Sequence, residues 1–176
     1  MKIFGIILLV VAIIIIIPLV IALFVKNEYS IKREIVINQP KPEVFNYVRH
    51  LKNQEKYSVW VMLDPNMKKE YRGNDGSVGF VYAWNGNKQA GEGEQEIKSI
   101  TEGEKIDVEV RFKRPFENVA YTPIITEAVS DAKTKVIWGM NGSNKYPMNF
   151  MNLFMDSMLG KDLDKSLNNL KNILER

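Results

Sequence analysis

A chain of 176 residues with no cysteine and a single histidine cannot build a disulfide framework, a thiol nucleophile, a zinc finger or any site needing two imidazoles. Its 24 basic and 21 acidic side chains give a formal charge of +3, yet Lys2 and Lys26 account for two of those bases. That leaves 22 bases against all 21 acids over residues 27–176, a nearly neutral stretch that is no nucleic-acid binder and is sized for one domain with a single core.

Ile3 to Val25 contains no charge, and only Gly5 and Pro18 fall outside the apolar set. A bilayer core of about 30 Å needs about 20 apolar residues as a helix, so this run is long enough to span. A cleaved signal peptide should carry a shorter apolar region, about 7–15 residues, ending in a small-x-small site. Ile21-Ala22-Leu23-Phe24-Val25-Lys26 offers no such site. Residues 1–27 are therefore expected to form an uncleaved transmembrane anchor, with Pro18 tolerated inside the helix. Lys2 on one side and Lys26, Lys32 and Arg33 on the other leave the side of the membrane that holds the domain undecided.

Beyond the anchor, residues 29–38 have the β-rich composition of a strand ending at Gln39-Pro40. Pro42 then opens a short amphipathic helix through about Arg49, with Val44, Phe45, Val48 and Leu51 at helical spacing. A second short helix or turn is expected over Asn53–Trp60, followed by a loop at Asp64-Pro65-Asn66. Strands are predicted over Lys69–Arg72, Val78–Trp84, Gly91–Thr101, Lys105–Phe112, Ala120–Val129 and Thr134–Asn141. Gly73-Asn74-Asp75-Gly76, Asn85-Gly86-Asn87, Glu102-Gly103-Glu104 and Ser130-Asp131-Ala132-Lys133 separate them as turns. After Pro147 the period changes. Met151, Met155, Leu159, Leu163, Leu167, Leu170 and Leu174 place one apolar stripe along a long helix, opposite Lys161, Asp164, Lys165, Asn168, Lys171 and Glu175.

The predicted class is α+β: one curved antiparallel sheet of about seven strands, two short helices after its first strand, and a long C-terminal helix covering its concave face. This order resembles the helix-grip fold of the START-like (SRPBCC) superfamily, in particular its polyketide cyclase/dehydrase and lipid transport branch. The likeness is carried by Glu34-Ile35-Val36-Ile37-Asn38-Gln39-Pro40 running into Val44-Phe45-Asn46-Tyr47-Val48, and by Leu51-Lys52-Asn53, Val59-Trp60 and Asp64-Pro65-Asn66-Met67. It continues through Tyr71-Arg72-Gly73, Gly79-Phe80-Val81-Tyr82-Ala83-Trp84, Gly91-Glu92-Gly93, Lys135-Val136-Ile137-Trp138 and Gly160-Lys161-Asp162-Leu163. The resemblance covers about residues 30–175 and implies a START-like ligand-binding domain over 28–176. It carries a cavity with it but no universal catalytic residue.

Trp60, Tyr82, Trp84, Phe112, Tyr121 and Trp138 come from segments expected around the concave side of the sheet. Met140, Met148, Met151, Met155 and Met158 are five of the eight methionines, a grouping that suits an adaptable apolar wall or simple helix-on-sheet packing. The expected ligand-binding set is Trp60, Tyr82, Trp84, Phe112, Tyr121, Trp138, Met140, Met151 and Met155. Glu92, Glu94 and Glu96 share one strand face and read as its solvated side. Glu127, Asp156, Asp162 and His50 are weaker acid–base candidates without an identifiable partner, His50 reading as a helix-end residue. No metal site is expected, with one histidine, no thiol and no clustered Asp-x-Asp pattern; no cofactor is expected either, and Gly91 and Gly93 precede a strand where a dinucleotide fingerprint needs a helix. Asn141-Gly142-Ser143 is read as a turn.

The expected function is membrane-tethered binding of a small hydrophobic or lipid-like ligand in the cavity. An enzyme of cyclase, dehydratase or hydrolase type in the same cavity, or a ligand-free interaction module at the membrane, are the alternatives. The expected partners are that ligand and the membrane, with no nucleic acid.

Overall fold

The computed structural model describes residues 2–176. Helix α1 (Lys2–Ala22) contains the run Ile3–Ala22, which is long and apolar enough to cross a membrane and, apart from Ala22 at its end, is not buried in the protein. The helix stops at Ala22, so the last part of the apolar run, Leu23 and Phe24, closes a turn onto Val20 and Ile21.

Strand β1 (Glu28–Ile37) follows, then α2 (Lys41–Val48), a 3-10 turn at Leu51–Asn53, α3 (Gln54–Tyr57) and a second 3-10 turn at Val61–Leu63. The sheet continues as β2 (Lys68–Arg72), β3 (Val81–Asn85), β4 (Glu92–Thr101), β5 (Lys105–Arg114), β6 (Asn118–Tyr121), β7 (Ile124–Ser130) and β8 (Lys133–Ser143). A 3-10 turn at Met148–Met151 leads into α4 (Asn152–Leu174). The eight strands form one antiparallel sheet in the order β1-β8-β6-β5-β4-β3-β2, with β7 pairing β5 and β8.

Three details depart from the sequence-based expectation. The strand expected over Ala120–Val129 is two strands, because Pro123 has no N–H to give a ladder; Thr122 bonds Val108 and the chain steps from β6 into β7 between the same neighbours. That raises the count from about seven to eight. Asn141-Gly142-Ser143 is not a turn but the end of β8, paired with Ser30, Tyr29 and Glu28 of β1. The strand expected from Val78 begins at Val81, since the chain is still turning at Val78–Gly79, where Gly79 adopts a left-handed φ of +86°.

Alternation along the strands decides which face is inside. In β1 every second residue from Tyr29 to Ile37 turns inward, and in β5 the inward set is Ile106, Val108, Val110 and Phe112. Helix α4 buries Leu163, Leu167 and Leu170 against that concave face, together with Phe45, Val48 and Leu51 from the α2 region. Arg33, at an inward position of β1, reaches α4 and grips Asp156 at 2.9 Å and Asp164 at 3.2 Å. Its guanidinium lies against Gly160, where any Cβ would collide with Nη2.

Pairing fixes the two ends of the sheet. Glu28 opposes Ser143, Gly142 opposes Ala120, Asn118 opposes Phe112, Arg114 opposes Glu92, and Asn85 opposes both Glu92 and Lys68. The exit from α1, the β3–β4 loop, the β5–β6 turn, the entry to β2 and the start of α4 therefore share one end. Helix α4 runs away from it, and at the far end Gln39 and Asn38 bond Leu174 and Glu175.

Candidate functional site: an apolar cavity under the helix

Between the concave face, the α3–β2 segment and Leu159 of α4 lies a cavity of about 230 Å³. Its deep wall is buried and includes Tyr82, Gln95, Val110, Thr122, Trp138 and Met140. Its exposed lining residues are Leu63, Gln89, Arg114 and Pro115, all at the α1 end of the sheet. The cavity thus opens at that end and is closed by the core at the other.

All three tryptophans of the chain line it. Trp60 meets Trp138 edge to face with ring centroids 5.8 Å apart, and Trp84 meets Phe112 in the same way at 6.1 Å. Two indoles are anchored from behind: Trp60 Nε1 donates to Asp162 Oδ2 at 3.1 Å, and Trp84 Nε1 to the Ala90 carbonyl at 3.1 Å. Gly93 makes room for Trp84, since a Cβ there would fall 2.7 Å from the indole ring.

The third indole differs. Trp138 Nε1 and the Tyr82 hydroxyl are buried donors with no protein partner. The Tyr57 ring packs edge to face on Trp138, and its own hydroxyl is likewise unpartnered. Burial, reinforced by the charge of Glu55, pushes the Tyr82 hydroxyl well above its ordinary value of 10.0, which keeps it a neutral donor. The other buried polar groups of the lining are better satisfied: Gln95 Nε2 donates to Gln54 Oε1 at 3.0 Å. Arg114 is the charged lining residue, and it is engaged by Glu92 at 2.9 Å and Asn85 at 2.7 Å. Among the described residues the lining contains no carboxylate, imidazole or lysine.

Of the nine residues expected to contact a ligand, the structure brings Trp60, Tyr82, Trp84, Phe112, Trp138 and Met140 together in this lining. It does not bring in the other three. Tyr121 alternates with the buried Ala120 and so stands 54% exposed on the outer face of β6. Met151 lies in the 3-10 turn outside the lining, and Met155 faces a shallow depression between Val25, Tyr29 and Leu153. Gln54, Ser58, Gln95 and Thr122 were not singled out from sequence. The signal for Gln95 was present: it shares the apolar parity of Gly93 and Ile97, opposite to Glu92, Glu94 and Glu96.

The acid–base candidates are committed elsewhere. Glu94 pairs with Arg72 and Arg111, Glu96 with Arg111 and Lys98, and Glu127 with Lys135. Hydrogen bonding by Arg72, joined by Arg111, holds the Glu94 carboxyl below the usual range, and Arg111 with Lys98 does the same for Glu96. Asp156 holds Arg33, Asp162 holds Trp60, and His50 Nδ1 lies 2.8 Å from the Asn46 carbonyl just past the end of α2.

No family model matches the chain, and no curated protein does. Solved structures do. Norcoclaurine synthase from Thalictrum flavum, in complex with dopamine and hydroxybenzaldehyde, is 10% identical over 87% of this chain and 90% of its own, with a TM-score of 0.65. Protein CV1439 from Chromobacterium violaceum is 15% identical over 84% and 97%, with a TM-score of 0.57. Ara h 8.0201 is 13% identical over 84% and 97%, with a TM-score of 0.55. At such identities the likeness is one of fold: the chain has the helix-grip (Bet v1-like) fold, carrying an apolar N-terminal helix in addition.

Proposed function

We propose that the protein is a membrane-tethered binder of a small hydrophobic or lipid-like ligand, held under α4 with its polar end toward Tyr82 and Trp138. The observation that carries this reading is the cavity itself, walled by three tryptophans and open at one end. At about 230 Å³ it is smaller than the roughly 300–1,000 Å³ of drug-sized sites. A single-ring compound, or a short-chain amphiphile that enters polar end first, fits that space better than a whole lipid. Norcoclaurine synthase, of the same fold, is seen with two such aromatic compounds. Apolar burial would drive binding at roughly 25 cal/mol per Å². In this reading α1 is an uncleaved single-pass anchor over 1–27, and 28–176 is the ligand-binding domain, of the polyketide cyclase and lipid transport branch.

Binding is better supported than catalysis, because proton transfer needs a titratable pair facing the substrate and the lining offers a neutral phenol and a paired arginine. Titration of the full chain in nanodiscs with a brominated fatty acid tests the proposal through its own tryptophans. Saturable quenching at a stoichiometry of one is expected, and abolished quenching in Leu159→Trp, which fills the cavity. Quenching that rises linearly with lipid bromine and is equal in the two proteins would overturn it.

A further inference from the structure

Large apolar side chains also stand uncovered outside the cavity, and they gather at its open end. Phe150, Phe154 and Met158 follow one another at helical spacing, the two rings edge to face at 5.5 Å. Met148, Leu153, Phe154 and Met158 are each about half exposed, and Phe116 in the β5–β6 turn is 71% exposed. Among the described residues α4 exposes no large apolar side chain from Leu159 onward, and the far end of the sheet shows only the scattered Val36, Tyr71, Val78 and Val129. A patch of this kind, confined to one end, marks an interaction surface.

The same end is latched to α1. Asn149, itself 2% exposed, donates from Nδ2 to the carbonyls of Ala22 at 2.7 Å and Val25 at 2.8 Å. Asn152 Nδ2 donates to the carbonyls of Lys26 at 2.9 Å and Asn27 at 2.8 Å, and the Asn144 amide donates to Asn27 at 2.9 Å. The segment between helix and sheet is therefore no loose tether. It sets the 3-10 turn carrying Met148 beside the last turn of α1. Exposed Lys26, Lys113 and Lys145, unpaired among the described residues, border the patch with Tyr146, the residue types that favour a headgroup layer.

We propose that this face, with Phe116, Phe154 and Met158 as its centre, docks on the bilayer that α1 crosses and holds the cavity mouth against lipid. The proposal rests on the reading of α1 as an anchor. It commits to a lipid surface because the patch is continuous with an apolar helix and rimmed by lysine and tyrosine. A ligand then passes between bilayer and cavity without crossing water.

The chain has no cysteine, so single labels can be placed cleanly. The full chain is reconstituted in vesicles of equal parts phosphatidylcholine and phosphatidylglycerol, with bimane at Phe116→Cys, Phe154→Cys, Met158→Cys, Ile13→Cys or Asp131→Cys. Tryptophan emission checks that each variant is folded. Doxyl groups on the acyl chains are expected to quench labels at 116, 154 and 158 nearly as strongly as at 13, and to leave 131 untouched. Quenching at 13 alone would overturn the docking and leave the anchor standing. Absent quenching at 13 would overturn both. Labels shielded from lipid and water alike, and increasingly so with protein density, would give the face to a second copy of the chain and also overturn the docking.

Discussion

Trp60, Trp84 and Trp138 do the same thing with their rings and different things with their N–H groups. Two are fixed by an acceptor behind them, while Trp138 and its neighbour Tyr82 present buried donors with none. A buried donor without a partner costs about 1–3 kcal/mol. Tyr82→Phe is therefore expected to raise the stability of the ligand-free chain by up to about 1 kcal/mol in urea denaturation. The same change is expected to weaken ligand binding about fivefold to tenfold. Stability and affinity moving the same way would show that the hydroxyl has no ligand-facing role. Gly93→Ala acts through a neighbour: its Cβ would press on Trp84 and on the Arg111 carbonyl, at 2.7 and 2.6 Å. We expect a loss of about 1–3 kcal/mol and a shift in tryptophan emission. At this scale sequence alone reached the rings but not the polar lining. Aromatic residues announce a cavity by type. Gln54 and Thr122 do so only once two remote segments, α3 and the β6–β7 step, are folded against one sheet.

Helix α4 is two elements in one. Its C-terminal half buries Leu163, Leu167 and Leu170, and Leu167→Ala is expected to cost about 2–5 kcal/mol in thermal or chemical unfolding. Its N-terminal half carries the same periodic stripe, but Met155 and Leu159 are only partly buried against the core and Met151 stands outside the cavity lining, because that end of the sheet surrounds the open cavity. Periodicity shows that a face is apolar; it does not show what covers the face. The strands were legible for the same reason in reverse, since alternation along β5 needs no knowledge of a partner. The break at Pro123 was readable from its missing N–H, but the step between β6 and β7 that it produces depends on Val108 and Gly103 accepting bonds across the sheet. On the outer face, Glu94 and Glu96 have carboxyl groups held below their usual range, so between their folded and unfolded values the unfolded chain binds more protons. Their contribution is fully present above about pH 4.5 and is lost as pH falls through the folded values. Glu94→Gln is expected to flatten the acid limb of a stability–pH profile and to cost no more than about 1 kcal/mol at neutral pH, as befits ion pairs near the surface.

For the whole molecule, most of the basic excess sits on Lys2 and Lys26, which flank the uncharged run Ile3–Val25, and the domain beyond is nearly neutral. The fold then adds what composition could not: the end of the sheet that receives this helix is the end at which the cavity opens. Apolar helix, apolar face and mouth coincide, and the membrane-tethered binder proposed above would need that coincidence. Ligand binding in the cavity is tested most directly by native mass spectrometry of the full chain released from lipid nanodiscs, beside Val110→Trp, which fills the cavity from its deep wall. One apolar molecule retained per wild-type chain is expected, and none in the filled variant, with both proteins folded. A wild-type chain that emerges bare, or a filled variant that carries as much as the wild type, would contradict it.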